Sequence, residues 1–181
     1  MDKKLHTALL RIVDLNCSHA SLHGLYYKDG QVYVCDAYLM AIVTTDYQPE
    51  LENKIIGKKG EEITLPPMKF RDVFPESYFD DYEDRRVELD LPKIKTACEL
   101  LSKDKKQVRA LSLTNCHFHA KQMLLIIQLF ETLKETPEIY IVETKYAIFR
   151  SEHCQALLIG GYMNYGIVLP LDEALTCGDL L

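Results

Sequence analysis

Apolar side chains at Leu5, Ala8, Leu9, Ile12 and Val13 recur at helical spacing, with Lys4, Thr7 and Arg11 on the opposite face. The pattern predicts an amphipathic helix ending near Asn16. The period then changes. Leu22 to Tyr27, the turn residues Lys28-Asp29-Gly30, Gln31 to Cys35 and Leu39 to Thr44 are rich in Val, Ile and Tyr, which predicts antiparallel strands joined by tight turns. From Tyr47 to Gly60 the chain is polar, carries Pro49, Gly57 and Lys58-Lys59, and reads as an exposed loop. Ile63 to Leu65 can pair briefly, and Pro66-Pro67 opens a short helix through Met68, Phe70, Val73 and Phe74 that Pro75 stops.

Beyond the acidic stretch Asp80, Asp81, Glu83 and Asp84, Val87 to Leu91 reads as a strand. Pro92 starts a helix with the stripe Ile94, Ala97, Cys98 and Leu101, and Val108 to Leu113 and Cys116 to Ala120 form a hairpin about Thr114-Asn115. The longest predicted helix is Lys121 to Glu135, its apolar face built from Met123, Leu124, Ile127 and Phe130 with Ile126 and Leu133 at the edge, and Thr136-Pro137 ends it. Strands return at Glu138 to Val142, Lys145 to Arg150, Gln155 to Gly160 and Gly166 to Leu169. Val32 to Asp36 with Tyr38 to Val43 echoes Ile139 to Glu143 with Tyr146 to Arg150, so the chain reads as helix then strands, twice. The expected fold class is α+β, an antiparallel sheet packed against two main helices, with Leu9, Ile12, Val34, Ile42, Leu124, Ile127, Ile141, Ile148 and Leu158 in the core.

A chain of 181 residues, 48% of them apolar or aromatic, can bury a substantial core in one domain. Its 27 acids against 21 bases leave a charge of −6, which opposes non-specific attraction to nucleic acid or anionic lipid except at a local basic face. The start, Met1-Asp2-Lys3-Lys4, lacks the apolar core of a signal peptide, and no apolar run reaches membrane-spanning length, so a cytoplasmic location is expected. Six scattered cysteines without a CxxC pattern are then expected to be buried thiols.

No GxSxG, HExxH, GxxxxGK[ST] or GxGxxG motif occurs, and the expected protein is not an enzyme and needs no cofactor. One alternative is a metal-binding regulator or metal-dependent enzyme. Cys17, His19 and His23 near the first helix and Cys116, His117 and His119 before the longest one could assemble a tetrahedral zinc site if the two regions meet. Their spacing is not that of a zinc finger, and Phe118 points away from its histidine neighbours as a core residue would. The aromatic and acidic run Tyr78-Phe79-Asp80-Asp81-Tyr82 favours protein contacts, since rings supply buried area while carboxylates repel phosphate. Tyr78, Phe79 and Tyr82 are therefore candidates for a protein-interaction or self-association surface, and Lys3, Lys4 and Arg11 for contact with DNA phosphates.

Leu22 to Val43, as strand, turn, strand and strand after a helix, resembles part of a DNA sliding clamp repeat. His117-Phe118-His119-Ala120-Lys121-Gln122-Met123-Leu124 onward to Gly160 is similar to the second half of such a repeat in the beta subunit of bacterial DNA polymerase III, whose strand-to-helix junction Ala120-Lys121 matches in part. Leu65 to Phe70 offers a second position for that junction. The resemblance implies either one clamp-like domain over 1–181 with an insertion at about 47–106, or two shortened repeats. It implies a non-enzymatic binding module acting through protein partners or DNA in replication, repair or a mobile element, oligomerising to close a ring. On that basis Lys121 joins the DNA-facing candidates.

Overall fold

The computed structural model describes residues 1–14, 19–36, 38–67, 83–103, 109–114, 116–142, 145–160 and 167–176. Helix α1, Lys3–Ile12, buries Leu5, Leu9 and Ile12. It stops short of the expected Asn16, because Val13 turns extended (φ −59°, ψ 119°) and sends its own side chain into the core. The meander β1 (Gly24–Lys28), β2 (Gln31–Cys35) and β3 (Leu39–Thr44) follows. Asp29 (φ 51°) and Gly30 (φ 72°) make the first turn, the left-handed pair that a two-residue hairpin requires.

The stretch predicted as a loop carries a strand, β4 (Ile55–Gly57), beside β1, and β5 (Glu62–Ile63) beyond it. Burial explains the difference: Ile55 lies opposite Tyr26 and is enclosed, whereas Lys58, Lys59 and Gly60 stay exposed at the hairpin tip. Of the strand expected over Val87 to Leu91, only β6 (Arg86–Val87) forms. Leu91 already belongs to α2 (Leu91–Leu101), whose N-cap Asp90 accepts from the Lys93 amide at 3.0 Å. The hairpin of β7 (Arg109–Leu113) and β8 (Cys116–His119) then leads directly into α3 (Ala120–Leu133). Strands β9 (Glu138–Val142), β10 (Tyr146–Arg150), β11 (Cys154–Ile159) and β12 (Ile167–Pro170) and the short helix α4 (Leu171–Thr176) complete the order.

Among the described residues, nine strands form one antiparallel sheet in the order β5-β4-β1-β2-β3-β11-β10-β9-β6, and β12-β7-β8 form a second. The α+β architecture is as expected, with two additions. Strand β12 pairs parallel to β7, which a local-turn argument could not foresee. Helix α3 packs against both α1 and α2, and α4 packs against α2, so the helical layer exceeds two members.

The two meanders meet where β3 pairs with β11, Ala41 opposite Ala156. Each meander follows a helix, so β1-β2-β3 corresponds to β9-β10-β11. The sequence echo had aligned β2-β3 with β9-β10, one strand out, because Val, Ile and Tyr alternate equally well in either register.

Facing the helices, the sheet buries Leu25, Val34, Ala41, Ile141, Phe149 and Leu158 among others. Its opposite face buries smaller clusters around Tyr26, Tyr33, Met40 and Leu157 and around Tyr140, Val142 and Ile148. Leu9, Ile12, Val34, Ile127, Ile141, Ile148 and Leu158 are buried as expected, while Ile42 and Leu124 are half-buried. On α3 the buried positions include Ile126 and Leu129, because packing on both α1 and α2 widens the covered face.

Candidate interaction surfaces

Lys3, Lys4 and Arg11 are all exposed on α1, opposite its buried stripe, and Lys121 is exposed in the first turn of α3. On α2 the lysines are engaged. Lys93 Nζ lies 2.8 Å from Asp172 of α4, and Lys95 Nζ 2.9 Å from Glu131 of α3. In each case the hydrogen bond to the carboxylate is the main cause that raises the lysine pKa, and the pair cancels the charge locally. Among the described residues, the exposed bases of this layer include Lys3, Lys4 and Arg11 of α1, Lys121 at the start of α3 and Lys134 at its end.

A polar knot ties the start of α3 to the turn between β2 and β3. The buried Asp36 accepts at Oδ1 from the amides of Tyr38 (3.0 Å) and Leu39 (2.7 Å), and at Oδ2 from Gln122 Nε2 (3.1 Å). His119 caps α3, its Nδ1 accepting from the Lys121 amide at 3.2 Å. Burial is the main cause lowering the His119 pKa and the Lys121 charge adds to it, against a smaller opposing effect of Asp36. Sequence reading passed over Asp36 and Gln122, since a carboxylate at a strand turn looks like ordinary turn chemistry until a distant amide is seen to meet it.

The other end of α3 holds a second cluster. The Glu135 carboxylate accepts from Ser151 Oγ and from the His153 amide (3.3 Å), and pairs with His153 Nδ1 at 2.5 Å. Burial opposes ionisation of Glu135, but its hydrogen bonds with Ser151 and His153 outweigh burial and hold its pKa below the ordinary range. The same contact raises the His153 pKa.

The described members of the proposed metal set are not grouped to hold an ion. Cys116 is enclosed in the core, His117 on the other face of β8 bonds Ser112 Oγ at 3.1 Å, and His119 serves as the cap. His19 is exposed, His23 is half-buried, and Cys17 lies outside the described residues. Among the described residues no three His, Cys, Asp or Glu side chains are grouped to hold a metal. The alternation of β8 explains this: Cys116 and Phe118 point to the core and the histidines away from it. Tyr78, Phe79 and Tyr82 also lie outside the described residues. The described cysteines Cys35, Cys98, Cys116 and Cys154 are buried thiols, as expected, and burial pushes the Cys98 pKa up to about 12. No helix among the described residues is long and apolar enough to cross a membrane.

No protein-family model matches the chain, and no curated protein matches it in sequence. Solved structures do match in fold. The beta clamp of Helicobacter pylori, bound to a DNA ligase peptide, is 11% identical with a TM-score of 0.61 over 88% of this chain and 63% of the clamp. The DNA polymerase III beta subunit of Borrelia burgdorferi, in complex with a natural product, is 13% identical with a TM-score of 0.64 over 89% and 62%. The sliding clamp of Bartonella birtlesii, bound to griselimycin, is 9% identical with a TM-score of 0.64 over 88% and 63%. The chain thus has the fold of the bacterial sliding clamps and spans less than two thirds of their length.

Proposed function

We propose that the protein is a non-enzymatic binding module of sliding-clamp-like fold, acting in the cytoplasm through protein partners or DNA in replication, repair or a mobile element. The carrying observation is the fold match to beta clamps over most of the chain, together with the two helix-and-meander halves joined at β3 and β11. We read 1–181 as a single clamp-like domain, with the chain from about 47 to 106 inserted between the halves.

The reading by analogy with the beta clamps carries with it that the module works as an oligomer, with the basic side of α1 and Lys121 toward phosphate. Sedimentation at increasing protein concentration should give a closed oligomer. Duplex DNA titrated at several salt concentrations should bind with a slope that falls when Lys3, Lys4, Arg11 and Lys121 are reversed to Glu, by roughly one unit for each phosphate no longer neutralised. Salt-independent binding, or none, removes DNA and leaves protein partners. A strict monomer that binds neither DNA nor protein overturns the proposal.

A further inference from the structure

Helix α3 ends in a left-handed turn that aims a carboxylate at a strand hairpin. Lys134 takes φ 60°, its amide donates to the Glu131 carbonyl at 3.1 Å, and the Glu135 amide donates to the Phe130 carbonyl at 3.1 Å. Lysine stands where glycine is the usual residue, so the end of α3 is held in a conformation with an intrinsic cost. The contacts that hold it come from the turn Ser151 to Cys154, which joins β10 to β11.

That turn is closed by the Ser151 amide donating to the Cys154 carbonyl at 2.8 Å, and the Thr44 amide at the end of β3 donates to the His153 carbonyl, also at 2.8 Å. Glu135 receives the Ser151 hydroxyl, the His153 amide and the His153 ring at Nδ1. His153 therefore joins its hairpin to β3 through its carbonyl and to α3 through its amide and its ring.

The two partners differ in exposure: the Glu135 side chain is 17% exposed and that of His153 49%. The carboxylate is enclosed by its donors, while the imidazole is open to exchange of its proton with solvent. Nε2 of the same ring stands 4.0 Å from Glu152 Oε1, so a protonated His153 lies between two carboxylates, one just past α3 and one in its own turn. The third titratable neighbour is the buried Cys154 thiol on β11, kept protonated because burial and the Glu135 charge both raise its pKa. The flanking bases Lys134 and Arg150 are exposed, and Arg150 stands opposite Glu138 on β9. Loss of the ring proton leaves Glu135 and Glu152 on either side of a neutral imidazole. Nδ1 still donates in the neutral tautomer, but that bond is no longer charge-assisted and the attraction for both carboxylates is gone.

We propose that Glu135 and His153 form a proton-operated latch, closed while His153 is protonated, whose opening frees the left-handed end of α3 and the turn between β10 and β11 while the rest of the helix stays packed. The core side chains of α3, Met123, Ile126, Ile127 and Phe130, precede the latch and hold the helix in both states. The raised His153 pKa and the lowered Glu135 pKa set the closed range between them, with opening as pH rises through the former. The latch belongs to the fold and does not depend on the binding-module reading.

The test follows amide hydrogen exchange in the full chain, labelled with nitrogen-15, between about pH 5.5 and 8.5, each rate divided by that of an unstructured amide at the same pH. Imidazole nitrogen shifts give the His153 titration in the same samples. Protection of Lys134, Glu135, Ser151 and His153 should fall at least about fivefold along that titration, while protection of Ile126 and Ile127 holds. In Glu135→Gln the His153 titration should move down toward the ordinary histidine value, and in His153→Gln protection at the turn should lose its pH dependence. A His153 that titrates at or below the ordinary value overturns the proposal. So does protection at the turn that ignores the titration, or a loss that spreads equally to Ile126 and Ile127. The unsubstituted chain carries the decisive titration, so a variant that failed to fold would not shield the proposal.

Discussion

Gly160 shows how much of the packing hangs on one missing methyl group. A Cβ at this position would meet Cys116 Sγ, Phe118 Cε1 at 2.8 Å and the His117 carbonyl, where the large sheet touches the small one. Gly160→Ala should therefore destabilise the fold by about 1–3 kcal/mol, read from the urea midpoint at unchanged slope, because the neighbours are core and main chain. Sequence reading marked Gly160 only as part of a strand end. Its role depends on a strand more than forty positions earlier, a neighbour that local pattern does not encode. Thr114 is a smaller case. Its φ of 53° is left-handed and its side chain β-branched, so Thr114→Gly should relieve strain and raise stability by roughly 1 kcal/mol in the same measurement.

Among the elements, α3 is pinned at both ends, by the Asp36 and Gln122 bond at its start and by Glu135 with Ser151 and His153 just past its finish. The second cluster gives stability a pH dependence. Glu135, with a lowered folded pKa, contributes above the ordinary glutamate value and loses that contribution as pH falls through its folded pKa. His153, with a raised folded pKa, contributes fully below the ordinary histidine value and loses it as pH rises through its folded pKa. The pair is strongest in the mildly acidic window between the two. Thermal midpoints should fall on either side of that window, and His153→Gln should flatten the alkaline decline. An unchanged alkaline decline in that variant would assign it to other groups. The helices themselves were legible because α1, α2 and α3 each carry an apolar stripe, although α1 ends before the expected Asn16. Strand β4 was not, since it is short, flanked by lysines and glycines, and is placed by its pairing with β1, where Ile55 lies opposite Tyr26.

For the whole molecule, the order of helix and strands read from periodicity corresponds to the sliding-clamp fold at identities of 9–13% in the three clamps described. Alternation of apolar residues preserves such a fold after almost every individual side chain has changed. The same property hid the internal symmetry by one strand, because alternation alone does not choose between adjacent registers. The candidate site was less legible. Lys3, Lys4 and Arg11 could be chosen from the amphipathicity of the first helix and Lys121 from the clamp resemblance, and all four are exposed. The Asp36 and Gln122 bond could not, for the two residues stand 86 positions apart and meet only in the fold.

Everything proposed about binding depends on those halves meeting at β3 and β11. The most direct measurement is the set of cross-strand proton NOEs in the isotopically labelled full chain. The account predicts Hα–Hα contacts at alternate pairs along the register from Cys154 opposite Val43 to Leu158 opposite Leu39, centred on Ala156 opposite Ala41. Contacts that placed β11 beside any strand other than β3 and β10, or in a parallel or shifted register, would contradict it.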